Sequence, residues 1–272
     1  MQKADLYRDE AGAELYDIAF DWRRNEEADF TEMCLQAFSK KTARSVLDVA
    51  CGGGQFLLEM QQRGWRVAGI DISPHMITRA QARLTGDCAL EVACMSRFTL
   101  TGVFDIATCW LDSLTYLLTN EDIIRHLRRV ARVVRDGGLY LLDIGFGRWA
   151  DPMWREPEAD WQPDFSNGWS ASRGVLEVYH DGCDGPPCDC VSHVSTEHMY
   201  FRATDLASGS VTEYFYKAPK RALHPQEFAA LVSASDMFEV VSWFSGSLKL
   251  SETLESNGGR GRGLVLLRRR SQ

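Results

Sequence analysis

The stretch from Leu47 to Gly54 constrains the fold of this chain more than any other part of the sequence. It reads Leu-Asp-Val-Ala-Cys-Gly-Gly-Gly and continues an apolar run that begins at Ser45. A buried strand that passes directly into glycines is typical of a doubly wound sheet, in which the loop amides lie at a helix N-terminus. Asp71 ends the next apolar run, where a carboxylate suits the hydroxyls of a ribose. The two features together predict a nucleoside-binding site.

Strand-like and helix-like patterns alternate as far as residue 146. This alternation predicts βαβ units and a parallel sheet covered by helices on both faces. The expected strands are 45–50, 66–70, 89–93, 104–109 and 139–144, and the expected helices are 55–62, 74–84 and 121–134. The sequence Asp136-Gly137-Gly138 predicts a turn before the fifth strand.

The pattern changes at residue 147. Residues 147–222 contain four tryptophans and two alternating runs, at 193–202 and 211–217, which predict an antiparallel β insertion. A helix at 225–235 and strands at 238–244 and 263–267 then return to the core. We therefore expect three parts: an N-terminal region with the ligand-binding core (1–146), an insertion that forms the acceptor pocket (147–222) and the rest of the core sheet (223–272).

The charge of the chain limits the classes of molecule that it can bind, and its expected location determines the state of its cysteines. Acidic residues outnumber basic ones by 38 to 30, a formal net charge of −8, which disfavours nucleic acid as a partner. The sequence has no apolar run long enough to cross a membrane, and its first residues lack the apolar core of a secretory signal. We expect a cytoplasmic protein, a monomer or a homodimer, with reduced cysteines.

A dinucleotide is one possible ligand of the glycine loop. Its fingerprint, G-x-G-x-x-G, needs a third glycine where the helix approaches the strand. Gly52 and Gly54 fill the first two places, but Leu57 occupies the third. This disfavours a nicotinamide-dependent oxidoreductase.

Three segments resemble motifs of the class I S-adenosylmethionine (SAM) dependent methyltransferases. They are Asp48-x-Ala50-x-Gly52-x-Gly54, Gly69-Ile-Asp71-Ile-Ser-Pro-His-Met76 and Arg135-Asp-Gly-Gly-Leu-Tyr-Leu-Leu-Asp143. The pattern Asp112-Ser-Leu-Thr-Tyr116, with Tyr16-Asp17 upstream, resembles bacterial small-molecule members, namely sugar N,N-dimethyltransferases and relatives of glycine N-methyltransferase. The resemblance implies a Rossmann-like fold: a doubly wound, mostly parallel seven-stranded sheet with an antiparallel β insertion after the fifth strand.

The same resemblance implies the cofactor SAM, with S-adenosylhomocysteine as product, and a set of binding residues. Asp48 would hold the methionine moiety, Asp71 the ribose, and Ile72 with Met76 the adenine. Cys94 stands where many relatives carry an aspartate that accepts a hydrogen bond from the adenine amino group. The full expected set is Tyr16, Asp48, Ala50, Cys51, Gly52, Gly54, Asp71, Ile72, Met76, Cys94, Met95, Ser96 and Cys109.

The methyl acceptor is expected beyond the end of the fourth strand. Candidate catalytic residues are Tyr7, Asp112, Tyr116 and His224, and candidate substrate-binding residues are Trp110, Trp149 and Trp154. Each has a structural alternative: Tyr116 as a core residue, His224 as a helix cap before Pro225, and the tryptophans as the packing of the insertion. Ile72 and Met76 could equally be core residues, and Cys51, Cys94 and Cys109 small apolar fillers.

Cys183, Cys188, Cys190 and His193 form a second candidate site. Three thiols and an imidazole could hold zinc in a tetrahedral arrangement. Their spacing is irregular and spans Gly-Pro-Pro, which favours a tight turn that forms without metal. We expect no metal.

Two hypotheses follow for the whole chain. The first is a SAM-dependent methyltransferase (EC 2.1.1.-) that acts on the nitrogen or oxygen of a small polar metabolite. The second is a catalytically inactive regulatory protein that binds SAM or a nucleotide. A nucleic-acid acceptor is disfavoured further, because the segment from Cys109 to Asp112 lacks the Pro-Pro-Tyr pattern of enzymes that methylate DNA amino groups.

Overall fold

The structure is a computed structural model that describes residues 9–21, 23–39, 44–146, 165–169, 174–181, 189, 191–257 and 261–271. The elements in chain order are α1 (Glu10–Ala19), α2 (Arg24–Phe38), β1 (Ser45–Val49), α3 (Gln55–Gln62), β2 (Arg66–Asp71), α4 (Pro74–Arg83), β3 (Ala89–Val92), β4 (Phe104–Cys109), α5 (Asn120–Val133), β5 (Val134–Phe146), β6 (Phe165–Trp169), β7 (Gly174–Asp181), β8 (Val194–Asp205), β9 (Val211–Arg221), α6 (Pro225–Ser235), β10 (Phe238–Ser245) and β11 (Gly261–Arg269). Short 3-10 turns lie at Ser113–Tyr116 and Leu254–Asn257.

Seven strands form the main sheet, in the order β10-β11-β5-β4-β1-β2-β3. The pairs from β5 to β3 are parallel, and β11 is antiparallel to both of its neighbours. The chain leaves β1 toward β2 and β3 and later returns to β4 on the other side of β1. Loops at the carboxyl ends of β1 and β4 therefore diverge, which opens a crevice at that edge of the sheet.

Helices cover both faces of this sheet. One apolar cluster joins it to α5 and α6 through Leu127 and Phe228, and the other joins it to α2 and α3 through Phe30 and Phe56. β1 is buried along its whole length, as expected of a strand with helices on both faces. The mostly parallel, doubly wound sheet predicted from the sequence is confirmed.

Local signals fix where the helices begin. The Ser73 hydroxyl accepts the Met76 amide, and Pro74 occupies the first turn of α4, where its missing N–H costs nothing. The Thr119 hydroxyl caps α5 in the same way by accepting the Asp122 amide at 3.1 Å. These caps set the ends of the loops that follow β2 and β4.

The insertion is a four-stranded antiparallel sheet, β6-β7-β8-β9. Alternate residues of its inner face, including Val178, Met199 and Phe201, are buried against Leu15 and Ala19 of α1. Helix α1 thus contacts the insertion sheet, and ion pairs from Asp17 to Arg79 and Arg83 join it to α4. An antiparallel insertion after the fifth strand is confirmed.

The fifth strand differs from the sequence prediction. β5 begins at Val134 rather than at residue 139, and the expected turn at residues 136–138 lies inside it. Phe104 pairs with Val134 and Ile106 with Leu139, so the extra residues of β5 form a bulge, in which Gly137 takes a φ of 68°. Gly137 and Gly138 therefore lie at a bend within β5, and not in a turn that precedes the strand.

Several predicted residues lie outside the described ranges: Tyr7, Trp149, Trp154, Cys183, Cys188 and Cys190. Within the described ranges, no helix has the length and apolar character needed to cross a membrane.

Candidate functional site

A cavity of about 400 Å³ opens at the carboxyl ends of β1, β2, β3 and β4. It lies at the edge where the strand order of the main sheet reverses, the usual place for a ligand in such folds. Twelve of its lining residues come from these strand ends and the loops after them: Asp48, Ala50, Cys51, Gly52, Gly53, Asp71, Ile72, Ala93, Cys94, Met95, Trp110 and Leu111. The remainder come from α1, α2, α3, α4, the turn at Ser113–Tyr116 and β9, with Phe20 and Leu117 directly after α1 and that turn.

The glycine loop forms the floor of the cavity. Ala50 and Gly52 take positive φ values of 60° and 53°, and the Cys51 amide donates to the Ile70 carbonyl at 2.9 Å, which holds the loop beside β2. A Cβ atom at Gly52 would meet nothing within 4 Å, so the space beside this residue is open. At Gly53 a Cβ would lie 2.1 Å from an Asp17 oxygen, which explains why the loop needs glycine there.

Asp71 lies at the end of β2 and is 8% exposed. Its carboxylate accepts the Gly52 amide at 2.9 Å and the Ser73 amide at 2.8 Å. Burial raises the pKa of Asp71, and the hydrogen bonds from the backbone of Ser73, Gly52 and Ile72 oppose that rise. The carboxylate is held rigidly at the cavity wall, as a hydrogen-bond acceptor for a hydroxyl-bearing ligand must be.

Asp48 is a second carboxylate on the same wall. It accepts the Thr108 hydroxyl at 2.7 Å across the β1–β4 pair. Burial raises the pKa of Asp48 to about 8, and the Thr108 hydrogen bond and the Arg24 charge oppose the rise. A neighbouring cation would favour the ionised form, so this position suits a ligand ammonium or sulfonium.

An apolar end of the cavity lies beside β2 and β3. Ile72 is 70% exposed there, whereas Met76 is buried beneath the surface. Cys94 and Met95 line the opposite side. The Met95 carbonyl lies 2.9 Å from Nδ1 of the buried His126, which fixes the loop after β3. These apolar side chains suit a flat apolar ring at this end of the cavity.

Residues of α1 and α2 close the cavity, and three of them had no predicted role in the site. Tyr16, expected at the site, is joined there by Asp17, Phe20 and Arg24. Asp17 pairs with Arg79 at 3.0 Å and with Arg83 at 2.6 Å, so a buried ion-pair network attaches α1 to α4. The Arg24 guanidinium donates to Glu27 at 2.6 Å and to the Phe20 carbonyl at 2.6 Å.

Aromatic and phenolic groups form the opposite end of the cavity. Trp110, Tyr116 and Tyr216 all reach it, and Trp110 lies 5.5 Å from the Phe56 ring, centroid to centroid. The Tyr116 hydroxyl donates to Glu197 of β8 at 2.6 Å. Nothing in the sequence pattern connects residues so far apart along the chain as Tyr116 and Glu197.

Five expected site residues lie off the cavity wall. Gly54 faces α4, where a Cβ would lie 3.0 Å from that of Ala80. Ser96 is buried beside the Cys94 thiol, 3.4 Å away. Cys109 is buried in the core, because the alternation of β4 turns its side chain inward and leaves Trp110 at the cavity. The pKa of this thiol is raised by burial, so it stays protonated.

The other two are the catalytic candidates Asp112 and His224. Asp112 accepts the Gly145 amide at 2.8 Å and the Lys220 ammonium at 3.2 Å behind the cavity wall. His224 is exposed at the N-terminus of α6, where it forms a capping box with Glu227, so the alternative of a helix cap fits its position. His193, the described member of the predicted cysteine cluster, lies 5.9 Å from it, ring to ring.

Comparison with known proteins agrees with this geometry. Residues 46–138 match the family described as "Methyltransferase domain". YqeM of Bacillus subtilis (strain 168) is 31% identical over 142 residues, which cover 50% of this chain and 58% of that protein. The chain spans about half the length of the first curated relatives it matches. The dTDP-3-amino-3,6-dideoxy-alpha-D-glucopyranose N,N-dimethyltransferase of Streptomyces fradiae is 28% identical over 259 residues, 93% of this chain and 88% of that protein.

A solved structure shows the same fold over its whole length. SAM-bound CalS10, described as an amino pentose methyltransferase from Micromonospora echinaspora, superposes with a TM-score of 0.67 at 21% identity. The match covers 98% of this chain and all of that one. Residues 46–138 thus match a methyltransferase domain, and the chain as a whole is similar in fold to a SAM-bound methyltransferase.

Proposed function

We propose that the protein transfers the methyl group of SAM to a nitrogen or oxygen atom of a small polar metabolite, with an amine nitrogen as the preferred acceptor. One observation carries this proposal. A single continuous cavity joins the Asp71 carboxylate and the open glycine loop to the phenolic end formed by Tyr116 and Tyr216. One end suits a nucleoside, and the other suits a polar acceptor.

The residues of the cavity fit SAM, which carries a carboxylate, an ammonium, a ribose diol and an adenine. Two buried donors, Arg24 Nε and Trp110 Nε1, find no hydrogen-bond partner among the described residues. A buried donor without a partner is costly, and a ligand carboxylate or ether oxygen can supply the acceptor. Arg24 would hold the ligand carboxylate, and Asp48 its ammonium.

The other expected contacts follow from position. Asp71 would accept hydrogen bonds from the ribose hydroxyls, and Ile72 with Met95 would contact the adenine. When bound, SAM would supply a methyl group on a sulfonium, and transfer of that methyl group would release the neutral thioether S-adenosylhomocysteine. The chain itself then has to exclude water and to align the acceptor with that methyl group.

Two observations support an amine as the acceptor. Relatives from Streptomyces are named N,N-dimethyltransferases of amino sugars. A neutral amine needs no strong base, and among the described residues the three side chains placed at the acceptor end, Trp110, Tyr116 and Tyr216, include none. A cavity of about 400 Å³ and an acidic chain also favour a small molecule over a nucleic acid.

The experiment is a transfer assay with SAM and matched acceptors. We would offer amino-sugar nucleotides, including dTDP-3-amino-3,6-dideoxy-glucose, beside the corresponding 3-hydroxy sugars. Mass spectrometry would follow S-adenosylhomocysteine and the methylated product. Methylation of an amine that fails in the Asp71→Ala variant supports the proposal. Tight SAM binding without transfer to either set would favour the regulatory SAM-binding protein instead.

A further inference from the structure

A chain of polar side chains connects the antiparallel sheet to the acceptor end of the cavity. Lys220 of β9 donates to Glu197 of β8 at 2.9 Å and to Asp112 at 3.2 Å. The second oxygen of Glu197 accepts the Tyr116 hydroxyl at 2.6 Å. The Lys220 ammonium also lies 4.9 Å from the centre of the Tyr116 ring. Glu197 and Lys220 are 2% and 4% exposed, so the chain of contacts is shielded from water.

The charges in this chain fix the direction of each hydrogen bond. Burial on its own lowers the pKa of Lys220, but the Asp112 and Glu197 carboxylates outweigh it and raise the pKa, so the amine stays charged. An ammonium can only donate, so one Glu197 oxygen accepts from Lys220, and the other accepts the Tyr116 hydroxyl. The one proton of Tyr116 is therefore given to Glu197.

The hydrogen bond to Glu197 also fixes how Tyr116 can act toward the cavity. Its one proton is given to Glu197, so toward any further partner the Tyr116 oxygen can act only as an acceptor. Burial raises the pKa of Tyr216, so this neighbouring phenol stays neutral. Tyr116 and Tyr216 both line the cavity.

A role in stability alone does not account for this arrangement. A buried ion pair contributes little net stability compared with apolar side chains of similar size. A second Tyr–Glu pair, Tyr200 of β8 with Glu213 of β9, lies on the same antiparallel sheet as Glu197 and Lys220. Neither of its residues lines the cavity, and within the described ranges no lysine hydrogen-bonds to Glu213. Of these two Tyr–Glu pairs, the one that reaches the cavity is Tyr116–Glu197, whose carboxylate also accepts from Lys220.

We propose that Glu197 and Lys220 are positioning residues, which orient the Tyr116 hydroxyl so that its oxygen accepts a hydrogen bond from an N–H group of the methyl acceptor. This inference rests on the proposed function, because it assigns this oxygen to the acceptor of that reaction.

The test uses binding, so that it does not depend on knowing the acceptor. Sinefungin is a SAM analogue in which a carbon bearing an amine replaces the methylated sulfur, so its N–H donors occupy the position of the transferred methyl group. S-adenosylhomocysteine has the same nucleoside but no such donor. The ratio of the two dissociation constants, measured by calorimetry, reports on hydrogen-bond acceptors at that position.

Glu197→Gln reverses the direction of the bonds without changing the size of the side chain. Lys220 can donate only to the amide oxygen of the glutamine, so the amide N–H₂ faces Tyr116, which must then accept and turn its own proton away. We expect the preference for sinefungin to fall about tenfold, the usual effect of losing a hydrogen bond to a charged group. Tyr116→Phe should give the same loss, and S-adenosylhomocysteine should bind with unchanged affinity.

A double variant separates positioning from a general effect on the fold. If Glu197 acts through Tyr116, adding Glu197→Gln to Tyr116→Phe causes no further loss. Glu213→Gln, in the matched pair away from the cavity, should leave the ratio unchanged. Tyr116→Phe decides the matter if Glu197→Gln does not fold.

An unchanged ratio in Tyr116→Phe, or additive losses in the double variant, would overturn the inference. If the wild-type protein bound neither ligand, the proposed function would fail, and this inference with it.

Discussion

The Gly52 amide donates to the Asp71 carboxylate over 2.9 Å, which joins the loop after β1 to the end of β2. The same carboxylate accepts the Ser73 amide, at the start of α4. One side chain thus holds the two loops between which a nucleoside would lie. Its position depends on the parallel pairing of β1 with β2, which places Val49 opposite Ile70.

The first prediction concerns Asp71. Asp71→Ala removes the carboxylate that would accept the two ribose hydroxyls and also frees the Gly52 amide. We expect the binding free energy of S-adenosylhomocysteine to weaken by about 1–3 kcal/mol, measured by calorimetry. Asp236→Asn, which alters an exposed carboxylate at the end of α6, is the matched control and should bind as the wild type does. Equal affinity in the two variants would remove Asp71 from the site.

The second prediction concerns proton release at Asp48. Its pKa of about 8 means that Asp48 is mostly protonated at pH 7 in the free protein. A ligand ammonium beside it would favour the ionised form, lower this pKa and so release a proton. We expect the binding enthalpy of SAM at pH 7 to depend on the ionisation enthalpy of the buffer, with release approaching one proton per site.

Asp48→Asn provides the control for this measurement. The asparagine oxygen can still accept the Thr108 hydroxyl, but the side chain has no proton to lose. Proton release should therefore disappear in the variant, and in the wild type it should fade as the pH rises past the pKa of Asp48. Proton uptake on binding at pH 7 would contradict the assignment of Asp48 to the ligand ammonium.

Local features of the sequence were enough to predict the helices and strand-end loops that surround the cavity. The helix expected at 55–62 is α3 to the residue, and that expected at 225–235 is α6, because a glycine loop in one case and Pro225 in the other mark the first turn. Ten of the thirteen expected cofactor residues lie on the cavity wall, since the loops at strand ends follow directly from the strand pattern.

Long-range contacts could not be predicted in this way. Asp17 meets Arg83 from 66 residues away, and Tyr116 meets Glu197 from 81 residues away. Both contacts depend on how α1 and the insertion sheet pack onto the core, for which a strand or helix pattern has no signal. His224 takes the helix-cap position that the sequence offered as the alternative to a catalytic role, because Pro225 beside it marks the first turn of α6.

The third prediction concerns His126, which supports the cavity from behind. Its ring is buried between the Met95 carbonyl at 2.9 Å and the Tyr140 hydroxyl at 2.7 Å. Burial lowers the pKa of His126 to about 4, and the hydrogen bond to Met95 opposes that change. The folded protein therefore binds this proton less tightly than the unfolded chain, in which a histidine titrates near pH 6.5.

The lowered pKa of His126 makes the folded protein less stable as the pH falls. The stability that neutral His126 contributes is fully present above pH 6.5 and is lost as the pH falls toward about 4. We expect its share of the free energy of unfolding to fall by up to about 1.4 kcal/mol per pH unit in that window, measured by urea unfolding. His126→Asn should flatten this slope, and the exposed His224→Asn should leave it as it is. A wild-type slope in His126→Asn would mean that other groups cause the acid sensitivity.

The last prediction concerns the buried indole of Trp110. Its Nε1 finds no acceptor among the described residues, whereas Nε1 of Trp65, equally buried, donates to Glu32 at 2.9 Å. Replacing either tryptophan with phenylalanine removes similar apolar area, but only Trp65→Phe breaks a hydrogen bond. We therefore expect Trp65→Phe to reduce the free energy of unfolding by about 1 kcal/mol more than Trp110→Phe does. SAM affinity should show the opposite order, because a SAM oxygen would supply the acceptor that the Trp110 N–H lacks. We expect Trp110→Phe to weaken SAM binding and Trp65→Phe to leave it unchanged. Chemical unfolding measures the stability of the two variants, and calorimetry measures their affinity for SAM. Equal SAM affinities would show that the indole N–H of Trp110 does not face the ligand.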